Sequence, residues 1–316
     1  MDSPVFIVLN AGSGRSDAET REATIRAMLT QAGRRHDLWR VENPQQLPAL
    51  ARRAVELAQQ QHGIVVAAGG DGTINAVVQA VLPSGRPFGV LPQGTFNYFS
   101  RTHGIPADTA EATEALLDAV VRPVQVGLIN DRVFLVNASL GLYPQLLEER
   151  EAYKQQFGRS RFVALCSAVV TLLRAHRQLV MSLEQGGATR LLRTPTLVVG
   201  NNPLQLEQLG IPEAQAVQQG QLAAIAVRPI GTLAMLWLLL HGALGQLGAA
   251  DSIVTFAFDR LTVRPHGRRR IKVAMDGEVA WLNTPLMFRV APHPLQLLVP
   301  ARNVTASEAD TTADAT

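Results

Sequence analysis

The sequence predicts an α/β fold in two parts: a doubly wound parallel-sheet domain at the N-terminus, then a mostly antiparallel β-sandwich domain with helical inserts. Three observations predict it. Within residues 1–122, a buried apolar strand, a glycine-bearing loop and a helix-period pattern follow one another three times, as in a parallel sheet whose loops gather at one edge. From Pro123 onward the apolar residues alternate instead of recurring every third or fourth position. Two longer apolar stretches inside that alternating region, 162–175 and 233–244, keep helical spacing.

Taken in order, Val5–Leu9 is a strand that runs into Asn10-Ala11-Gly12-Ser13-Gly14, followed by a helix to about Ala32. Residues 36–41 alternate as a second strand. Pro44 opens a helix through Gln60, with Leu47, Leu50, Ala51, Ala54, Val55 and Ala58 on its buried side. Residues 64–68 read as a strand buried on both faces. Gly69, Gly70 and Gly72 follow, glycines that permit a positive φ and a close approach to the backbone, and Thr73 reads as the cap of a helix striped by Ile74, Val77, Val78 and Val81. Residues 88–91 are the next buried strand, after which Gly94 and Thr95 open another helix. Asp108 and Glu111 form a capping box for a helix to Val121.

In the second part, Val124, Val126 and Leu128 are expected to pair with Val133, Leu135 and Asn137 across an Asn130-Asp131 turn. Further strands are expected at 190–199, 222–227, 253–263, 269–275, 286–290 and 295–299. This places an α/β domain at 1–122 and a β-rich domain at 123–300, whose last strand can return to the first domain. The stretch 301–316 has no apolar pattern and reads as a disordered tail.

Composition sets outer bounds. A chain of 316 residues with 47% hydrophobic content can bury two modest cores. The net charge is only +3, and of 29 basic residues only Lys154 and Lys272 are lysines. Arginine suits phosphate and anionic headgroups better than lysine does. The single cysteine, Cys166, excludes an intrachain disulfide framework, and the first nine residues lack the basic and apolar regions of a secretory signal. Both point to the cytoplasm. The run at 233–244 is broken by His241 and Gly242 too early to cross a bilayer.

The loop Gly69-Gly70-Asp71-Gly72-Thr73-Ile74-Asn75 is a phosphate cradle by construction. Unpaired N–H groups at a helix start, with the positive end of the helix dipole, favour a phosphate, and Asp71 adds one carboxylate for a metal ion or a proton. It does not fit the G-x-G-x-x-G dinucleotide fingerprint, nor does it end in the Lys-Ser/Thr of a Walker loop.

The string Gly69-Gly70-Asp71-Gly72-Thr73 resembles the signature shared by diacylglycerol kinases, sphingosine kinases, NAD kinases and phosphofructokinases. Three further motifs narrow the resemblance to bacterial diacylglycerol kinase-like lipid kinases: Asn10 to Gly14, Leu91-Pro92-Gln93-Gly94-Thr95-Phe96-Asn97, and Met275-Asp276-Gly277-Glu278. Locally, Asp276-Gly277 also reads as a plain hairpin turn.

The resemblance implies an ATP- and Mg²⁺-dependent kinase that phosphorylates a hydroxyl of diacylglycerol or a related lipid. It implies that ATP is held by Asn10, Ser13, Gly14, Gly69, Gly70, Asp71, Gly72, Thr73, Asn75, Gly94, Thr95 and Asn97. It also implies that Glu278 is the general base, with Asp276 and Asp71 as ligands or orienters of Mg²⁺. The partner it implies is a lipid at a membrane surface, met at the inner membrane face, and neither a nucleic acid nor a protein.

This chain departs from the family pattern at three places. Tyr98 stands where Asp is common, Gln218-Gln219-Gly220-Gln221 lacks the carboxylates that hold a second, structural Mg²⁺ in many relatives, and Val41-Glu42-Asn43 lacks their Thr. The departures keep a nucleotide- and lipid-binding protein without turnover as an alternative, and a kinase of soluble substrates of the NAD kinase type as a lesser one.

Overall fold

The computed structural model describes residues 3–10, 15–142, 178–231 and 250–301, with the single positions 144, 147, 234 and 237. The helical inserts expected at 162–175 and 233–244 lie outside the described residues apart from Ala234 and Trp237, as do Ser13, Gly14, Cys166 and the tail from 302. The chain divides into two units, one running through Gln125 and resuming at Pro292, the other covering Val126–Ala291.

The first unit contains β1 (Val5–Leu9), α1 (Arg15–Gln31), β2 (His36–Arg40), α2 (Leu47–Gln60), β3 (Ile64–Gly69), α3 (Asp71–Val81), β4 (Phe88–Pro92), α4 (Tyr98–Thr102), α5 (Thr109–Leu117) and β5 (Ala119–Val124). The second contains β6 (Gly127–Ile129), β7 (Arg132–Phe134), β8 (Asn137–Gly141), β9 (Leu179–Gln185), β10 (Ala188–Thr194), β11 (Thr196–Gly200), α6 (Pro203–Gln208), α7 (Ala214–Gln218), β12 (Leu222–Val227), β13 (Ile253–Phe258), β14 (Arg260–Pro265), β15 (Arg270–Met275), β16 (Glu278–Asn283) and β17 (Leu286–Val290). The last strand, β18 (Leu295–Pro300), joins the first unit.

The first unit is one six-stranded sheet in the order β2-β1-β3-β4-β18-β5. The pairs β1–β2, β1–β3 and β3–β4 are parallel, as the repeated strand-loop-helix pattern predicts. Every residue of β1, β3 and β4 is buried, because helices cover both faces of a doubly wound sheet. Parallel pairing also fixes where the loops emerge. The C-terminal ends of β1, β3 and β4 are adjacent, so the chain leaves the sheet at Asn10, Gly70 and Gln93 along one edge.

The second unit packs two six-stranded sheets face to face, β10-β9-β14-β17-β6-β7 and β13-β12-β11-β8-β15-β16. Their inner faces share one core that includes Phe134, Met181, Leu197, Phe258, Val273 and Phe288. Phe134 meets Phe288 edge to face at 6.3 Å.

The expected fold class stands, with local corrections. The helix expected to open at Pro44 begins at Leu47, and Pro44–Gln46 form a 3₁₀ turn with a capping box between Asn43 and Gln46. The helix expected to reach Val121 stops at Leu117, because the β-branched pair Val120-Val121 and Pro123 favour the extended strand β5, which pairs with β18. Val124 therefore pairs with Leu295, while Gly127, Leu128 and Ile129 pair with Phe134, Val133 and Arg132.

Each of the long strands expected at 190–199 and 253–263 is two strands in different sheets, broken at Pro195 and at Asp259. The strand β9 is not among the expected strands although Leu179, Met181 and Leu183 alternate along it, and the short helices α6 and α7 have no clear periodic signal in the sequence.

One titratable group in the first unit is strongly perturbed. His103 packs edge-on against Phe99 at 4.9 Å, and burial, with the Arg122 guanidinium, pushes its imidazole down to about 4. Unfolded, the same ring takes a proton near 6.5, so between those values the unfolded chain binds more protons. Stability of the first unit is expected to be full above pH 6.5 and to fall on acidification toward pH 4, by at most about 3 kcal/mol, then to level off. Chemical denaturation of the protein and of His103→Phe across that range checks it. The variant should lack this step, and an identical pH profile would contradict the assignment.

Candidate active site

The loops that leave the sheet edge are tied to one another by short polar side chains. The amide nitrogen of Asn10 at the end of β1 donates to Thr73 Oγ1 at 2.9 Å, and the backbone N–H of Gln93 donates to Gly69 O at 2.9 Å. Thr73 is not the helix cap expected from the sequence. The helix α3 begins at Asp71 with Gly70 as its N-cap and no side-chain cap, and Thr73 lies buried in the first turn, where its hydroxyl serves Asn10. No side chain covers the first-turn N–H groups as a cap, and Asp71 sits at the positive end of the helix dipole.

The glycines are required for proximity rather than for left-handed backbone. None of Gly69, Gly70, Gly72 and Gly94 has a positive φ. A Cβ on Gly69 would lie 2.7 Å from Thr73 Cβ, and one on Gly94 would lie 3.1 Å from Gly70 Cα and 2.7 Å from Asn97 Oδ1. The two glycine loops thus touch backbone to backbone.

Asn97 holds the second of them. Its side chain is buried, accepting from Gly94 N at 3.0 Å and donating to Gly94 O at 2.9 Å, while its own backbone is left-handed at φ 46°. Thr95 does not open a helix, contrary to expectation. It is exposed beside Phe96, and α4 starts at Tyr98 with Asn97 as a cap residue that makes no capping bond. Gly72 and Asn75 are half-buried within α3.

Gln93 belongs to this site although its sequence context did not mark it. Both atoms of its side-chain amide are buried with no hydrogen-bond partner among the described residues. A buried amide in that state costs a few kcal/mol until something pairs with it. The only sequence signal is its place, directly before Gly94.

In the second unit, Asp276 and Gly277 form the two-residue turn between β15 and β16, with φ of 48° and 91°. Two positive values are what the tightest hairpin turn requires. The Asp276 carboxylate accepts three backbone N–H groups, from Leu135 at 2.7 Å, Val136 at 2.8 Å and Asn137 at 3.0 Å, and its own N–H donates to Asn137 O at 2.9 Å. The structure therefore gives Asp276 a task other than the metal ligation implied by the resemblance: it pins the hairpin to the segment leading into β8. Glu278 follows as the first residue of β16, exposed, and its side chain makes no hydrogen bond or ion pair among the described residues.

The donor chemistry bears on Mg²⁺. Among the described residues no group of three or more His, Cys, Asp or Glu side chains could enclose a metal. Mg²⁺ that arrives with phosphates needs only one or two carboxylates, and Asp71 beside the glycine loops fits that role. At the Gln-rich stretch, Gln218 Nε2 donates to Glu207 at 3.0 Å and Gln221 Nε2 to Asp259 at 3.4 Å, so these amides present N–H donors to the nearby acids.

Residues 4–129 match the family described as the diacylglycerol kinase catalytic domain. The resemblance read from the motifs is borne out over that stretch. The chain is 41% identical over 96 residues to a diacylglycerol kinase of Bacillus subtilis, covering 29% of this chain and 32% of that one. With a diacylglycerol kinase of Staphylococcus haemolyticus it shares 30% identity over 145 residues, 45% of this chain and 43% of the relative. The matches thus span about a third to two fifths of those relatives. A crystal structure of a diacylglycerol kinase from Bacillus anthracis superposes with a TM-score of 0.68 at 18% identity, covering 95% of this chain and 98% of that one, which shows a common fold.

The two acids of the hairpin are separable by experiment. Asp276→Ala strands three backbone N–H groups and is expected to destabilise the second unit by about 3 kcal/mol or more, whereas Glu278→Gln on the surface should change stability by less than about 0.5 kcal/mol. Urea denaturation of both variants measures this, and equal stabilities would show that the Asp276 contacts carry no weight.

Proposed function

We propose that the protein is an ATP- and Mg²⁺-dependent kinase that phosphorylates a hydroxyl of diacylglycerol or a related lipid. The observation that carries this reading is the backbone contact between Gly70 and Gly94, inside a stretch that matches the diacylglycerol kinase catalytic domain. Only bare backbone on both sides leaves N–H groups open to a triphosphate.

In this reading the first-turn N–H groups of α3 and the loop around Gly94 receive the phosphates, with Asn10, Thr73 and Asn97 fixing the loops and Ser13, Gly14, Asn75 and Thr95 adding polar contacts. The unsatisfied amide of Gln93 takes a polar group of the nucleotide. Asp71 would hold Mg²⁺, which would supply electrophilic stabilisation of the phosphoryl oxygens. Glu278 accepts the proton of the lipid hydroxyl as its oxygen bonds to the γ-phosphorus and the bond from that phosphorus to the departing ADP oxygen breaks. Asp276 acts by fixing the turn that presents Glu278.

The substrate chemistry implies work at a membrane surface, at the inner face of a cytoplasmic membrane. No helix among the described residues is long and apolar enough to cross a bilayer. Trp237 is 62% exposed, which suits contact with an interface.

Incubation of the purified chain with ATP labelled at the γ-phosphate and a panel of lipid alcohols tests the reading. Labelled phospholipid from diacylglycerol or a near relative is expected, and no labelled lipid across the panel would overturn it. Glu278→Gln should lower turnover by roughly 10² or more with ATP affinity nearly unchanged. Wild-type turnover in that variant would remove Glu278 from the role of base.

A further inference from the structure

The outer face of the β15–β16 hairpin carries an aromatic and basic patch that no proposed step uses. In the register of this hairpin Lys272 faces Trp281 and Arg270 faces Asn283. Alternate residues share a face, so Ile271, Val273 and Leu282 are buried in the core while Arg270, Lys272 and Trp281 turn outward. Trp281 is 53% exposed, and its ring lies 5.9 Å from the Arg270 guanidinium carbon and 5.5 Å from Lys272 Nζ. A large indole left half in solvent between two cations is costly for a surface that only meets water.

The patch continues into the turn before β15. Residues 266–270 are all exposed, and none of the guanidinium groups of Arg268, Arg269 and Arg270 is in an ion pair among the described residues. The backbone beneath them is fixed, since Thr284 donates from Oγ1 to Arg268 O at 2.7 Å and from N–H to Arg269 O at 3.0 Å. From Arg260 to Lys272 the chain has six Arg or Lys residues and no Asp or Glu. The acid on the neighbouring turn, Asp131, is engaged by Arg289 at 3.6 Å.

We propose that this face, Trp281 flanked by Arg270 and Lys272 and extended by Arg268 and Arg269, docks the protein on an anionic phospholipid bilayer. Indole rings settle at headgroup depth, where one side is apolar and the other wet, and cations beside them meet lipid phosphates. The patch carries both features, an exposed indole and adjacent cations, which a soluble anion does not require. Glu278 begins the same strand three residues before Trp281, about 10 Å along it, and by the same alternation belongs to its other face, so the docking surface and the proposed base are distinct. The proposal rests on the lipid-kinase reading for its purpose, but binding to a bilayer needs no turnover and is measured apart from it.

The test uses the full chain with sedimented vesicles of phosphatidylglycerol in phosphatidylcholine, against vesicles of phosphatidylcholine alone. Binding to the anionic vesicles is expected, weakening with added salt. The triple variant Arg268→Gln, Arg269→Gln, Arg270→Gln should bind about two orders of magnitude more weakly, and Trp281→Ala about tenfold more weakly. Both should keep the wild-type thermal unfolding profile and the wild-type rate on a short-chain diacylglycerol dispersed as monomers. Unchanged vesicle binding in the triple variant overturns the proposal. So does equal binding to neutral vesicles, or a loss confined to nucleic-acid binding. If the wild type phosphorylates no lipid in solution while its vesicle binding depends on these residues, the kinase reading fails and the docking surface stands.

Discussion

The contact between Gly70 and Gly94 is the constraint on which the first unit's site depends. Two strands adjacent in a parallel sheet end side by side, and their loops would ordinarily be kept apart by the first side chains of each. Here neither loop has a side chain at the contact, and a methyl group on Gly94 would lie 3.1 Å from Gly70 Cα. The backbone of both loops is thereby exposed to the same small volume, at the uncapped start of α3. This is the physical content of a phosphate site: aligned donors, a favourable dipole, and no side chain in the way.

The same economy recurs in how the loops are held. Asn97 and Asp276 both occupy left-handed backbone, which short polar side chains tolerate, and both use those side chains to bond backbone groups. Asn97 closes a ring on Gly94, while Asp276 gathers three successive N–H groups ahead of β8. Residues that look like chemistry in the sequence are, in these two cases, first of all supports. The chemistry falls to their neighbours: the uncapped first-turn N–H groups of α3 across from Gly94, and the exposed carboxylate of Glu278 beside Asp276.

The parallel sheet was legible because its strands are buried on both faces, so that 64–68 and 88–91 stand out as unbroken apolar runs followed by glycine. The β-rich part was legible as a class but not strand by strand. Alternation continues across Pro195 and Asp259, and only tertiary pairing shows that the chain changes sheet there. The glycine loops were found from their residues, but the reason for the glycines was not: a positive φ is a local property, whereas the approach of Gly94 to Gly70 is a contact between loops distant in sequence. The same local logic makes Thr73 and Thr95 openers of helices, and in both cases the observed geometry differs. Gln93 carries only the signal of its place before Gly94, since its significance is the burial of an amide without a partner among the described residues.

The central claim is that the touching glycine loops form the nucleotide cradle. Calorimetric titration of Mg²⁺-ATP into the wild type and into Gly94→Ala tests it most directly, because the added methyl must push Asn97 and Gly70 away and spread the donors. The wild type should bind, and the folded variant should bind at least about tenfold more weakly. A folded Gly94→Ala protein with undiminished affinity for ATP would contradict the account.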